Sequence, residues 1–525
     1  MIEFSYRQVL LSSYNSKHFT MANSAVGLDR VSRIVGYKLT TGDFRSTSPN
    51  LPQRIAVLAE ANEANQSGLD LTPTQITSAQ QAGDLYGYGS PIYLIARILI
   101  PQQGGGVNGI PVWIYPQAKA SGATAKKITI TPTGTATQDA VHTLVIAGRY
   151  SMEGQSYDVN ITAGDTASEI TDKISDLIND VLGCPFNSTE DDYVVTCTSK
   201  WNGDTADDLT ISVDTNDADA GITYTIASTQ SGTGVPSVQS ALNSFGNNWN
   251  TIVVNSYGAD TGTLTLLENF NGVPSATNPT GRYVGTIMKP FVAIYGTCVD
   301  DPTSITDARK TQVTNAAGPT PNSLGLPLEG AANYAVLYAN NSQNTPHLDI
   351  NNQALPDMPT PDDIGSMADY NNRDLFVKKG CSTVDLVAGQ YVVQDFVTTY
   401  HPTGENPPQF RYCRNLMLDF NIRYGYYLLE QINVVDHAIS ADSDIVSVQG
   451  VIKPKQWKQI VTGYADDLSK RALIVDPQFM KDSITVALSS SNPDRLETFF
   501  KYKRSGVVRI ASTEAQAGFN FGVLV

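Results

Sequence analysis

Charged side chains are scarce, at 16% of the 525 residues, and cysteine and histidine are scarcer still, at five each. The cysteines (Cys184, Cys197, Cys298, Cys381 and Cys413) are odd in number and form no CxxC pair. They indicate neither a disulfide framework nor a thiolate zinc site and read as buried, reduced thiols. The histidines (His18, His142, His347, His401 and His437) lack ligand spacing. Basic residues are the minority sign: 35 Lys and Arg stand against 51 Asp and Glu, a net charge of −16. Such a surface repels a phosphate backbone, so no nucleic-acid partner is expected. Long apolar runs are missing too. The longest, residues 91–100, contains Arg97 and is too short to span a bilayer, so no membrane insertion is expected. Residues 1–11 include Glu3 and Arg7 and hold no apolar export signal, which reads as synthesis in a cytoplasm without Sec export; Met21 is a second candidate start.

Catalytic signatures are absent as well. No GxxxxGK[ST], HExxH or GxSxG occurs. Residues 214–221 have the look of a calcium loop, but Ala218 falls on a ligand position and no Glu follows at the twelfth, so a turn is expected. The Gly87–Gly89 turn precedes a helix, yet without a Walker lysine or the fuller fingerprint it does not make a nucleotide site. Asp191-Asp192 and Asp207-Asp208 are neighbours along the chain and read as solvated turns. No catalytic, cofactor or metal residue is therefore assigned, and no enzyme is expected.

What is present centres on residues 72–116. Thr72, Pro73 and Gln75 spell a capping box for a helix carrying Ile76, Ala79, Ala82 and Tyr86. Gly87 and Gly89 break it, and Ser90-Pro91 starts a second helix, apolar nearly all round and therefore buried. Pro101 ends that helix, and strand 112–115 follows. With residues 54–59 as an upstream strand, this is the start of an α/β layer.

Length allows roughly two to four domains. Residues 1–45 read as an N-terminal arm with strand character at 34–39, and residues 46–121 as the first part of the α/β core. Residues 122–234 carry most of the acidic excess and alternate apolar and polar positions at 128–131, 143–147, 157–161, 193–198, 209–213 and 222–226. Thr166 and Glu169 cap one helix among them. This is expected to be a self-contained, mostly-β insert. Residues 235–388 resume the α/β pattern with helices at 237–245, 263–270 and 304–310 and strands at 251–255 and 291–297, then a loop-rich, proline-rich span at 315–380. Residues 389–517 read as α+β: a strand at 390–400, helices at 412–431, 454–472 and 493–501, and strands at 482–488 and 506–511. Residues 518–525 form a last apolar strand. The fold class expected is α/β and α+β multidomain.

Leu85-Tyr86-Gly87-Tyr88-Gly89-Ser90 with its apolar helix, and Thr398-Thr399-Tyr400 followed by a polar loop and an aromatic-bearing helix, are similar to the pattern of contractile-tail sheath proteins of the Mu-like phage class. The resemblance rests on Gly87, Gly89, Ser90, Thr398, Thr399 and Tyr400 and spans about two thirds of the chain, outside the insert and the first 25 residues. Gln394-Asp395 departs from it, standing where a basic residue is frequent. The resemblance implies a structural subunit that polymerises with itself as stacked hexameric rings around a tail tube, between baseplate and tail terminator proteins, and contracts by rigid-body rearrangement. It implies a virion component assembled in the host cytoplasm. It further implies terminal arms that add strands to neighbouring copies: Ile34, Val35, Tyr37 and Leu39 at one end, Phe519, Phe521, Val523 and Leu524 at the other. Gly36, Gly42, Gly506 and Gly518 are then arm hinges. The resemblance also implies that the C-terminal part lies against the tube, with Lys501, Lys503 and Arg504 as expected contacts, and that the acidic insert faces outward. The sheath of a capsid-free injection particle is the mechanical alternative. A surface adhesin or glycan-binding protein is the alternative of another class, suggested by the Thr/Asp-rich insert.

Overall fold

The computed structural model describes residues 49–519 apart from 276, 285–287 and 406. Ile34, Val35, Gly36, Tyr37, Leu39, Gly42, Phe521, Val523 and Leu524 lie outside the described residues. The fold is a mixed α/β assembly of several units. At its centre is strand β1 (Ile55–Glu60), buried along its whole length. It pairs in parallel with β3 (Val112–Gln117) and with β11 (Ile252–Asn255), which continues through β12 (Val292–Thr297) to β13 (Asn315–Pro319). One antiparallel strand, β2 (Thr74–Ile76), closes the far edge. A strand covered on both faces needs apolar residues at every position, and β1 supplies them. Ile55, Val57 and Ala59 enter one core, and Ala56 and Leu58 the other. Helices α1 (Ala79–Tyr86), α2 (Pro91–Leu99) and α7 (Pro327–Asn344) contribute to the first core. Helices α4 (Gln239–Asn243) and α5 (Thr261–Asn271) contribute to the second. Every residue of α2 except Arg97 is buried, as expected of a helix apolar all round.

Four expectations change. Residues 74–76 are a strand, not the first turn of a helix. Pairing to β3 satisfies their backbone and buries Ile76, while Ser78 caps α1 by accepting from the Gln81 amide at 3.1 Å. Asp70 instead takes the Thr72 amide at 2.9 Å. The span read as loop contains the 18-residue helix α7, preceded by β13. Pro327 sits in its first turn, where a missing N–H costs nothing, and Ala331, Ala332, Ala335 and Ala339 let it lie close on the sheet. Gly296 of β12 makes the closest approach: a Cβ there would fall 1.7 Å from the Pro327 carbonyl oxygen. Residues 496–499 form strand β17 (Leu496–Phe499), paired with β16 (Thr485–Leu488), where a helix was expected. No strand is assigned at 506–511.

Besides a short hairpin with two-residue strands at Ser151–Met152 and Gln155–Ser156, the insert contains two main antiparallel sheets. One runs β10 (Thr223–Gln230), β4 (Ala125–Thr133), β8 (Val194–Asn202), β7 (Phe186–Asp191). The other runs β9 (Ile211–Asp214), β5 (Ala140–Ile146), β6 (Asp158–Ile161). Helix α3 (Ala167–Asp180), capped by Thr166 and Glu169 as the sequence spells, contacts both. The insert is not self-contained. Its Ile128, Leu144, Tyr157, Ile174 and Trp201 belong to the same apolar cluster as β1 and α2, because the face of α2 turned from the sheet needs a cover. A four-charge ring pins it: Arg97 of α2 and Arg149 of the insert both reach Glu329 of α7 and Asp357. The ring satisfies charges that burial would otherwise make costly.

The last unit has its own core of Leu418, Ile422, Trp457, Val461, Tyr464, Leu468, Leu473, Met480 and Ile484. Its helices are α9 (Cys413–Asn433), α10 (Pro454–Lys470) and α11 (Pro477–Ser483). The boundary expected at 389 falls inside a hairpin instead. Ala388 and Gly389, both at positive φ, turn β14 (Thr383–Val387) into β15 (Gln390–Asp395), whose Val384, Tyr391 and Val393 pack in the main core.

Glu60 ends β1 beneath the insert. It is 1% exposed, its Oε1 has no hydrogen-bond partner, and burial together with nearby Asp204 pushes its carboxyl up to about 8. The unfolded chain releases this proton near 4.5, the folded one near 8, so stability falls as pH rises through that window and levels off above it. Glu60→Gln removes the effect. Thermal melts of both proteins should show the variant gaining on the parent from pH 5 to pH 8, with little further change at higher pH.

Candidate functional site

The sequence-marked motifs turn out to be joints. At the first, Gly87 has φ 92° and Gly89 has φ 78°, values open to glycine. The Asn62 side-chain amide donates to the Tyr88 carbonyl at 2.9 Å and fills the space a Cβ on Gly87 would need. A Cβ on Gly89 would lie 2.3 Å from the Cys184 carbonyl oxygen, so the insert presses directly on this turn. Ser90 is fully buried, and its Oγ accepts from the Tyr93 amide at 3.1 Å. The N-terminus of α2 is thus sealed by its own cap and by the insert.

At the second, Thr398 and Thr399 are fully buried. The Thr399 amide donates to the Asn315 carbonyl at 3.0 Å, extending the sheet edge beyond β13, and its hydroxyl donates to the Gln312 carbonyl at 3.1 Å. The Thr398 hydroxyl donates to the Phe410 carbonyl at 2.8 Å, and Tyr400 stacks edge-on to Phe410 while donating to Glu405. The Thr399 amide and hydroxyl therefore stitch the chain before α9 to the edge of the α/β sheet, and the Thr398 hydroxyl closes the loop that leads into α9.

Beyond these joints lies the C-terminal strap, residues 503–519. Lys503 and Arg504 pair with Val475 and Ile474. Arg504 is bound by Asp419 through two contacts at 2.8 and 2.6 Å and lies over Phe410. The Arg414 guanidinium donates to the Ser505 carbonyl and, at 2.7 Å, to its hydroxyl, and holds the His347 carbonyl with its other edge. Arg509 turns inward onto Tyr412, 3.7 Å from its ring centre, and pairs with buried Asp349 and with Asp395 at 3.2 Å. Burial pushes Asp395 up in spite of Arg509. Asp395 is the departure noted in the family pattern, and this contact gives it a job. Val508 and Ile510 point the other way and are 85% and 84% exposed; Phe519 is exposed too. A groove of about 640 Å³ runs beside the strap, lined by Tyr370, Arg373, Val377 and Gln394 among others.

The chain enters the described region close by. The Asn50 side chain donates to the Gln343 carbonyl at 3.0 Å and accepts from Arg471 at 2.7 Å. The Leu51 amide donates to Asn421 at 2.8 Å, and the Gln53 amide to Gln343 at 2.8 Å. These anchors were not legible beforehand. A charged residue alternating with apolar ones at 507–511 was the available signal for Arg509. Asn50, Arg414 and Arg471 carried none.

No family model matches the chain. It is 22% identical over 433 residues to the Mu-like prophage FluMu tail sheath protein of Haemophilus influenzae, a match that takes in 80% of this chain and 84% of the relative. The chain resembles a Mu-like tail sheath protein. Among solved structures, the sheath tail protein of Desulfitobacterium hafniense is matched over its full length and 90% of this chain, with a TM-score of 0.41 and 11% identity. The helical sheath of the anti-feeding prophage in its contracted state is matched over its full length and 93% of this chain, with a TM-score of 0.42 and 11% identity.

Of the basic residues set aside as contacts, Lys501 is exposed beside Phe499. Lys503 is exposed and pairs with Asp476 at 2.6 Å, and Arg504 is engaged by Asp419. Gly506 lies between the two tied arginines, with open space where a Cβ would stand; Gly518 is open in the same way. Among the described residues no group of three or more His, Cys, Asp or Glu side chains is placed to hold a metal, and no helix is long and apolar enough to cross a membrane. Gly89→Ala tests the first joint. The clash with the Cys184 carbonyl and the positive φ together should lower stability by about 2–4 kcal/mol, read as a reduced urea midpoint, whereas Gly518→Ala should leave the midpoint unchanged.

Proposed function

We propose that this chain is the structural subunit of a contractile tail sheath. In this reading, copies stack as hexameric rings around a tail tube, and the lattice contracts by rigid-body rearrangement of subunits to drive the tube through a host envelope. The observation that carries it is the likeness to a tail sheath protein over 433 residues. The described fold supports it in two ways. The strap is tied down at Arg504, Ser505 and Arg509 and presents Val508, Ile510 and Phe519 at the surface. The hairpin β16–β17 is two-stranded and exposed along most of its length. An isolated two-stranded sheet is marginal in water, and an exposed edge invites a further strand.

The arm of one copy, with Phe519, Phe521, Val523 and Leu524, would add to the hairpin or strap of the next, and the arm holding Ile34, Val35, Tyr37 and Leu39 would do the same from the other end. A six-residue strand makes several backbone hydrogen bonds of about 0.5–1.5 kcal/mol net each. Each large apolar side chain adds about 1.5–3 kcal/mol at full burial. Arms held this firmly persist while weaker body-to-body contacts exchange, so the free energy of contraction is stored at assembly and no nucleotide is used. Residues 518–525, with Gly518 at their root, are the hinged C-terminal arm; Gly36 and Gly42 serve the N-terminal one, and Gly506 is a fixed point between two arginine anchors. The unit built on α9–α11 faces the tube, with exposed Lys501 and Lys503, the latter paired with Asp476, on that side, and the acidic insert faces outward. Partners are other copies, the tube protein, and the baseplate and terminator proteins that end the tail.

Electron microscopy of the purified chain should show long hollow tubes; discrete particles would favour an adhesin. Deleting residues 518–525 should leave the melting temperature and circular dichroism of the monomer unchanged and abolish the tubes. Normal tubes from the truncated protein would refute the arm exchange.

A further inference from the structure

The described chain begins beside the turn at which the C-terminal strap starts. The N-terminal root (Asn50, Leu51, Gln53) is held by Gln343 at the end of α7, Asn421 of α9 and Arg471 just after α10. The C-terminal root (Arg504, Ser505) is held by Asp419 and Arg414 of α9, by the His347 carbonyl through Arg414, and by Ala472 and Leu473, the two residues after Arg471. One turn, Arg471-Ala472-Leu473, therefore grips both: its first residue bonds Asn50, its second accepts the Ser505 hydroxyl and its third accepts the Ser505 amide at 3.1 Å. Ala472 is at φ 53°, a left-handed value that a side-chain-bearing residue keeps only when its surroundings hold it there. The same eight-residue stretch of α9, from Arg414 to Asn421, supplies a partner to each root. Both grips act before the chain reaches β1 at Ile55 and after it has left the hairpin β16–β17.

We infer that the two roots form a single mechanical knot, so that a pull on one root, taken at Asn50 or at Ser505 inside the outer tie of Arg509 to Asp349 and Asp395, passes to the other through the α9 stretch and the Arg471–Leu473 turn, leaving the parallel sheet and the insert outside the load path. This rests on the reading of the two ends as inter-subunit arms, but the coupling itself is a property of one folded chain. A tug on Ser505 is resisted by a turn whose other partner is Asn50. A tug on Asn50 is resisted by the same turn. The sheet, whose first strand begins beyond the grip, is carried as a passenger.

Coupling of this kind is reciprocal, and amide hydrogen exchange on the full-length monomer reads it. Asn50→Ala cuts the half-exposed N-terminal grip and should speed exchange of the Ser505 amide about fivefold, the factor that one lost hydrogen bond carries. Arg414→Gln cuts the C-terminal grip and should speed exchange of the Leu51 and Gln53 amides by a similar factor. Val57 and Val254 in the sheet should keep the parent rates in both variants. If each variant loosens only its own root, or if the sheet amides accelerate as much as the far root, the single knot is refuted. Should Arg414→Gln fail to fold, the Asn50→Ala arm decides alone, since that side chain is only partly buried. Tube formation by the parent protein is scored separately: a chain that never polymerises refutes the reading of its ends as arms, whatever the exchange rates show.

Discussion

The constraint on which most of this molecule depends is the two-faced helix α9. Leu416, Met417 and Phe420 lie in the core that also contains β1, and Leu418 and Ile422 lie in the separate core built with α10 and α11. A helix that is apolar on two sides cannot be satisfied by either unit alone. It fixes the position of the last unit against the α/β sheet without a wide interface between their other elements. Arg414, Asp419 and Asn421, on the same turns, are polar residues among those apolar faces, and each is used on a chain end. The helix thus joins two cores and anchors both roots within a few turns.

The insert depends on a different contact. Its cover over α2 joins its apolar interior to the central core, and the ring of Arg97, Arg149, Glu329 and Asp357 supplies direction where apolar packing supplies only area. Removing one partner from such a ring leaves a buried charge uncompensated, which is more damaging than replacing the whole set by apolar residues. The same logic explains Glu60, which is buried under the insert beside another carboxylate, Asp204, and keeps its proton instead.

Much of the α/β layer was legible because buried parallel strands write themselves as short apolar runs: 55–60, 252–255 and 292–297 stand out unaided. The insert's strands were legible through strict alternation, and α3 through its Thr166–Glu169 box. Helix α7 was missed because its asparagines and the prolines around it resemble loop composition, although its one proline, Pro327, sits at the one helical position that welcomes it. Strand β2 was missed because a good local cap at Thr72 competed with a tertiary pairing that the sequence does not announce. The joints were partly legible: Gly87, Gly89 and Thr399 were singled out, but the contacts that require them, Asn62, Cys184 and Asn315, are distant in the chain. The anchors were the least legible, since Asn50 and Arg471 are 421 residues apart and neither has a periodic neighbourhood.

The shared interior of insert and core has a further consequence. Two linkers, near residues 118–124 and 231–236, connect the insert to β3 and to α4, and they are bridged to each other at Thr124 and Thr233. Nicking them would sever the backbone without separating the pieces, because the fragment stays seated through Tyr157, Trp201 and the salt-bridge ring. A digest that looks like three bands under denaturing conditions would therefore run as one body in native buffer, and the seam between the two folds is chemical only, never physical.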